Sequence, residues 1–150
     1  MKRSNRDSLT PKKSAFATGL TWHLSPEPHW AAHAGKARYT PEHFAEEGFI
    51  HCTNGDERLI EVGNRYYTAD PRPFLALQVD LDAAGSQAIY EDPEQVYPHI
   101  YGELDTAAVR QVRRIVRGAD GAFLGIGEVV ERVGEPGAGD AAGSEGRDRR

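Results

Sequence analysis

Three histidines stand in settings that suit chemistry. His23 lies in Thr21-Trp22-His23-Leu24, His51 in Gly48-Phe49-Ile50-His51-Cys52-Thr53, and His99 in Tyr97-Pro98-His99-Ile100-Tyr101-Gly102. Each sits in or beside a strand-like run and is flanked by apolar or aromatic residues. One histidine of this kind is ordinarily a satisfied core residue. Three at strand ends read differently, because strand ends can converge on one cleft. The imidazole titrates near neutrality, which suits proton transfer and hydrogen bonding to a substrate. A three-histidine metal site is the other use of such a set. Cys52 raises a cysteine–histidine nucleophile, but neighbours along a strand point to opposite faces. With His51 toward a cleft, Cys52 belongs to the core as a small buried hydrophobe.

Other groups carry weaker signals. His29 and His33 are four residues apart and would share a helix face, as a metal pair requires. No acidic or cysteine partner accompanies them at ligand spacing, so they read as half-exposed surface histidines. Glu91 and Asp92 precede Pro93 and read as loop caps rather than as an acid–base pair. Arg110, Arg113, Arg114 and Arg117 form a basic cluster. It is either a phosphate-binding strip or an exposed edge strand protected by charge. Gly121, Gly125 and Gly127 do not follow a strand-to-helix turn, which excludes a dinucleotide-fold fingerprint.

The elements that must position these residues are short. Leu20 to Leu24 alternates as a strand. Ser25 before Pro26 reads as a helix N-cap, with the helix running to about Ala34 and ending at Gly35. Thr40-Pro41-Glu42 repeats that start, and Gly48 stops a second short helix. Gly48 to Thr53 reads as a brief strand. Asn54 and Glu57 form a capping-box pattern ahead of a helix with Leu59, Val62 and Tyr66 at helical spacing. Phe74 to Leu81 is the strongest strand, with Phe74, Leu75, Ala76, Leu77 and Val79 nearly continuous, as in a buried strand. Ala88 to Tyr90 and Tyr97 to Tyr101 are shorter strands, and Asp105 to Ala108 suits one helical turn. Val109 to Arg117 reads as an edge strand, and Asp120-Gly121 as a turn into a last strand. Strands and short helices mix without a long βαβ alternation, so the class is α+β.

The chain has 150 residues, 39% hydrophobic and 27% charged, which fits one domain. Its single cysteine excludes an internal disulfide and a multi-cysteine zinc site, and points to a reducing cytoplasm. No apolar run reaches the length of a membrane span, and no signal-peptide stretch follows the basic N-terminus. The net charge of −5 is uneven. Lys2, Arg3, Arg6, Lys12 and Lys13 make residues 1–18 basic, which leaves the middle strongly acidic. An acidic body is a poor platform for nucleic acid or anionic lipid. Residues 1–18 read as a disordered basic tail, 19–133 as a single α+β domain, and 134–150 as a disordered low-complexity tail.

In order and spacing, the motifs around His23, His51 and His99 resemble an uncharacterised bacterial and plant family, the domain-of-unknown-function family nine-five-two. The resemblance covers about residues 19–117. It implies a compact relative of the ADP-ribosyltransferase superfamily, with a split antiparallel or mixed sheet that clamps NAD. His23 would then lie against the NAD ribose, and His51 would line the nicotinamide or ribose pocket. Thr53 follows His51, and Tyr66 or Tyr67 would cover the pocket. His99 or Tyr101 falls where many transferases carry a catalytic glutamate; the nearest glutamate here is Glu103. A histidine-rich site resembles the RNA 2′-phosphotransferase branch, although the acidic body argues against a large RNA. The implied catalytic set is His51, His99 and Tyr101, and the implied NAD-contacting set is His23, Thr53 and Tyr67, with no metal. Two other readings use the same residues. One is a module that binds a nucleotide or small metabolite without turnover. The other is a two-histidine phosphoesterase using His51-Cys52-Thr53, though Tyr101 stands where its second copy needs Ser or Thr.

Overall fold

The computed structural model describes residues 15–132. Phe74–Asp80 (β4) is the spine. Phe74 and Ala76 point into one hydrophobic cluster, while Leu75, Leu77 and Val79 point into another. Two buried faces explain its nearly continuous apolar run, broken at half-buried Gln78. Leu20–Pro26 (β1) pairs antiparallel along its whole length, from Leu20 opposite Asp80 to Pro26 opposite Phe74. Val109–Arg117 (β8) and Phe123–Arg132 (β9) complete a four-stranded sheet in the order β9-β8-β4-β1. A second sheet joins Ile50–His51 (β3), Pro98–Tyr101 (β6) and Gln87–Tyr90 (β5) in the order β3-β6-β5. Arg38–Tyr39 (β2) and Leu104–Asp105 (β7) form a two-stranded ribbon. Every strand pair among the described residues is antiparallel. The class is α+β, as the mixed pattern predicts.

The helices are Glu27–His33 (α1), Phe44–Glu47 (α2) and Asp56–Tyr66 (α3). α3 packs Leu59 against Trp22, Phe74, Ile115 and Phe123 on one face of the large sheet. The opposite face buries Ile50, Ile100 and Ala88 of the second sheet together with Trp30 and Tyr39. No described helix is long and apolar enough to cross a membrane.

Several boundaries differ from the sequence expectation. Ser25 is not a cap: β1 continues through Pro26, and the Ser25 hydroxyl donates to the Pro26 carbonyl. Asn54 does not cap α3 either. The helix starts after Gly55, and the Asn54 amide donates to the Tyr90 hydroxyl. β8 is no edge strand, since it lies between β9 and β4. The expected turn before it is a 3₁₀ turn over Thr106–Ala108. Part of the expected N-terminal tail is woven into the fold. Phe16 bridges Ile89, and the amide of buried Ala17 donates to the Ala88 carbonyl. The rest of both expected tails lies outside the described residues.

Candidate functional site

The site begins where two sheets part. Trp22 of β1 and Thr53, just past β3, exchange two backbone hydrogen bonds of 3.0 and 2.8 Å. The next rung of such a ladder would pair Leu24 with His51. That rung is not made. The His51 carbonyl instead accepts from the ring Nδ1–H of His23 at 2.7 Å. A carbonyl cannot donate, so this bond fixes the tautomer, and Nε2 of His23 accepts from the Tyr39 hydroxyl at 2.8 Å. His23 is thus a buried wedge that satisfies the backbone group exposed by the split. Burial pushes its pKa down to about 4, with the carbonyl bond opposing the shift. It stays neutral at physiological pH.

Beyond the wedge opens a cavity of about 580 Å³. His51 and His99 enter it from directly opposite positions on β3 and β6. Their ring centroids are 5.3 Å apart, edge to face. Phe49 stacks on His99 at 4.2 Å and also contacts His51. Each imidazole is held by a carboxylate: His51 Nε2–H donates to Glu47 at 3.1 Å, and His99 Nδ1–H donates to Glu91 at 2.9 Å. In the neutral rings this leaves Nδ1 of His51 and Nε2 of His99 as bases. The arrangement gives two oriented proton acceptors side by side.

Of the six expected site residues, five reach this cavity: His23, Thr53, Tyr67, His51 and His99. Tyr101 is not on the lining. Its side chain lies further along the same face of β6, 41% exposed, and its hydroxyl donates to Glu91. Loss of hydration, then that bond, pushes its pKa up to about 12, so it acts as a donor that braces Glu91. The Tyr101 and His99 bonds in turn hold the Glu91 carboxyl below its ordinary range. Glu91 therefore belongs to the third motif. Its neighbour Asp92 is the loop cap, accepting from the Val96 and Tyr97 amides. Cys52 is buried, and burial pushes its thiol well up, which removes the nucleophile reading.

The other candidates have structural partners. His29 donates to the Thr40 carbonyl and His33 to the His29 carbonyl. Among the described residues, no group of three or more His, Cys, Asp or Glu is placed to hold a metal ion. The arginines of β8 do not form a free strip. Arg110 pairs with Asp80, Arg113 donates to the Gly127 carbonyl, and Arg114 pairs with Glu27. Arg117 lies over the Phe123 ring at 4.6 Å and donates to backbone carbonyls of Tyr67, Thr68, Asp70, Arg72 and Gly121. It staples down the loop that follows α3.

That loop supplies residues the motifs did not reveal. Arg72 lines the cavity and donates to both oxygens of Glu42 and both oxygens of Asp70. These bonds hold both carboxyls below their ordinary range. One sequence signal does mark Arg72: it stands between Pro71 and Pro73, which stiffen the backbone around it. Glu61 and Arg65 of α3 complete a lining of four acids and two arginines.

A family model described as "Protein of unknown function (DUF952)" matches residues 24–112, more than half of the chain. The chain belongs to the DUF952 family. The DUF952 match contains β3, β6, α3 and the loop that carries Arg72; His23 falls just before it. The crystal structure of protein CC0527 from Caulobacter crescentus has a similar fold, with a TM-score of 0.60 and 21% identity over 70% of this chain and 93% of that one. A double methionine variant of CC0527 gives the same values. No curated protein matches this DUF952 chain.

Proposed function

We propose that the cavity binds NAD and that the protein is an ADP-ribosyltransferase-like enzyme acting on the nicotinamide–ribose bond. One observation carries this reading. His51 and His99 stand opposite each other on paired strands, each ring oriented by its own carboxylate, at a cavity opened by a split between two sheets. An oriented imidazole base beside a ligand-sized cavity is the arrangement that proton transfer needs.

The lining suits the charge changes of this reaction. When the bond breaks, nicotinamide leaves with the bonding electron pair, and positive charge gathers on the ribosyl carbon and ring oxygen. Glu47 and Glu61, the lining acids that Arg72 does not hold, put negative potential around the cavity, which favours that charge if the site excludes water. The acceptor oxygen attacks as it loses its proton to Nδ1 of His51 or Nε2 of His99. With water as acceptor the products are ADP-ribose, nicotinamide and one proton. Tyr66, Tyr67 and Phe74 on the lining offer apolar and aromatic surface for the bound rings.

A second reading, binding without turnover, is favoured by Tyr101 standing off the lining, which leaves His99 as the third motif's one imidazole beside Tyr97. The phosphoesterase reading fits less well, because Glu47 and Glu91 put negative charge against both imidazoles where a phosphate would sit. Incubation with NAD followed by chromatography separates the first two. Wild type should release nicotinamide, and His51→Ala and His99→Ala should each lose at least about tenfold in rate, the low end for a general base. Unchanged release by a folded His51→Ala protein would sink the assignment.

A further inference from the structure

Arg72 reaches the cavity from the loop before β4, whereas the two imidazoles reach it from β3 and β6. Its guanidinium fork is filled twice. Asp70 is a near neighbour in the chain and accepts the Arg72 backbone amide at 3.0 Å as well as side-chain bonds of 3.1 and 2.7 Å. That contact is local and stays with the loop, which Arg117 anchors through the Asp70 and Arg72 carbonyls. Glu42 is different. It comes from the segment before α2, thirty positions away in the chain. Its two oxygens meet the fork at 2.7 and 3.0 Å, the bidentate geometry that a phosphate also adopts. Both side chains of that pair are about one-third exposed. Water reaches both groups, so an anion arriving in the cavity can compete with Glu42 for the fork.

We infer that Glu42 is a placeholder on Arg72, and that a phosphate-bearing ligand displaces it so that Arg72 grips the phosphate while the ribose end meets His51 and His99. Arg65, exposed on α3 with no ion-pair partner among the described residues, is a second cation on the same lining. This inference rests on the nucleotide reading and extends it. The ligand class is a nucleotide with a phosphate or pyrophosphate, and its anionic part lies on the loop wall. It also reconciles an acidic lining with an anionic ligand. The acid that competes with the phosphate for the fork is the one that moves away, while Asp70 stays to orient the guanidinium.

Calorimetric titration with ADP-ribose, adenosine and inorganic pyrophosphate tests this on wild type, Glu42→Gln, Arg72→Lys and Arg72→Met, with thermal melting to confirm folding. ADP-ribose should bind Glu42→Gln several-fold more tightly than wild type, because its competitor for the fork has lost its charge. Arg72→Met should lose roughly tenfold or more, the loss expected for a charged hydrogen-bonded pair. Arg72→Lys should fall between, since it keeps the charge and loses the fork. Adenosine should bind all four proteins alike, and pyrophosphate alone should bind more weakly than ADP-ribose. Pyrophosphate binding as tight as ADP-ribose would make this an inorganic anion site and overturn the nucleotide assignment. ADP-ribose affinity that ignores Arg72, or that falls in Glu42→Gln, would overturn the placeholder. Nicotinamide release is a separate readout. Arg72-dependent ADP-ribose binding without release leaves this inference standing and defeats the cleavage reading. Release indifferent to both positions does the reverse.

Discussion

His23 shows how one side chain can look catalytic and serve as a joint. Its motif resembles a ligand-contacting position, yet both ring nitrogens are engaged by protein, one by the His51 carbonyl and one by the Tyr39 hydroxyl. Its contribution to a ligand therefore passes through His51, whose backbone it holds. Burial has a measurable consequence. The unfolded chain titrates His23 near 6.5, whereas the folded protein holds it neutral down to about 4. Between those values the unfolded state binds the extra proton, so stability is complete above about pH 6.5 and falls as the pH drops toward 4. The loss is on the order of 3 kcal/mol. Urea unfolding of wild type and His23→Asn across pH 7 to 4.5 should show a steep decline in wild type and a shallower one in the variant. The difference between the curves removes the carboxylates common to both. Parallel curves would mean that His23 is not the titrating group.

At the scale of elements, α3 must approach the large sheet closely to close the cavity's far side. Gly63 permits this, since a Cβ there would run into the Phe123 ring. Alanine is the better helix former by about 1 kcal/mol, but overpacking at such a contact costs about 1–3 kcal/mol. Gly63→Ala should thus be no more stable than wild type and up to about 2 kcal/mol less so, read as a lower urea midpoint. A clearly raised midpoint would show that the helix sits more loosely. The sequence made the strands easier to read than their places. β4 announces itself by the apolar run from Phe74 to Leu77. β8 looks like an edge because Arg110, Arg113, Arg114 and Arg117 interrupt its apolar positions, but arginine stems lie along a sheet while their heads reach carboxylates and carbonyls. Ser25 and Asn54 carry genuine cap chemistry, and their side chains are spent on other partners. His51 and His99 were legible because their motifs set strand alternation. Glu47, Glu42 and Arg72 were not, because their meeting depends on how loops close.

At the scale of the whole molecule, the cavity is a consequence of topology. Two sheets share one rung at Trp22 and Thr53 and then diverge around one hydrophobic cluster to which both contribute, while the large sheet packs a second cluster against α3. Trp22 secures the rung further by donating its indole N–H to Asp56 in the first turn of α3 at 3.0 Å. The acidic surplus of the chain reaches this cavity as Glu47 and Glu61, beside the Glu42 and Asp70 that Arg72 holds, which matches a ligand whose reacting end becomes cationic. The central claim is that His51 and His99 serve one ligand. The most direct test follows the imidazole nitrogen resonances of all six histidines by NMR while NAD is added. His51 and His99 should shift together along one binding curve, while His29 and His33, which lie off the lining, stay in place. Shifts confined to His29 and His33, or separate curves for His51 and His99, would contradict the account.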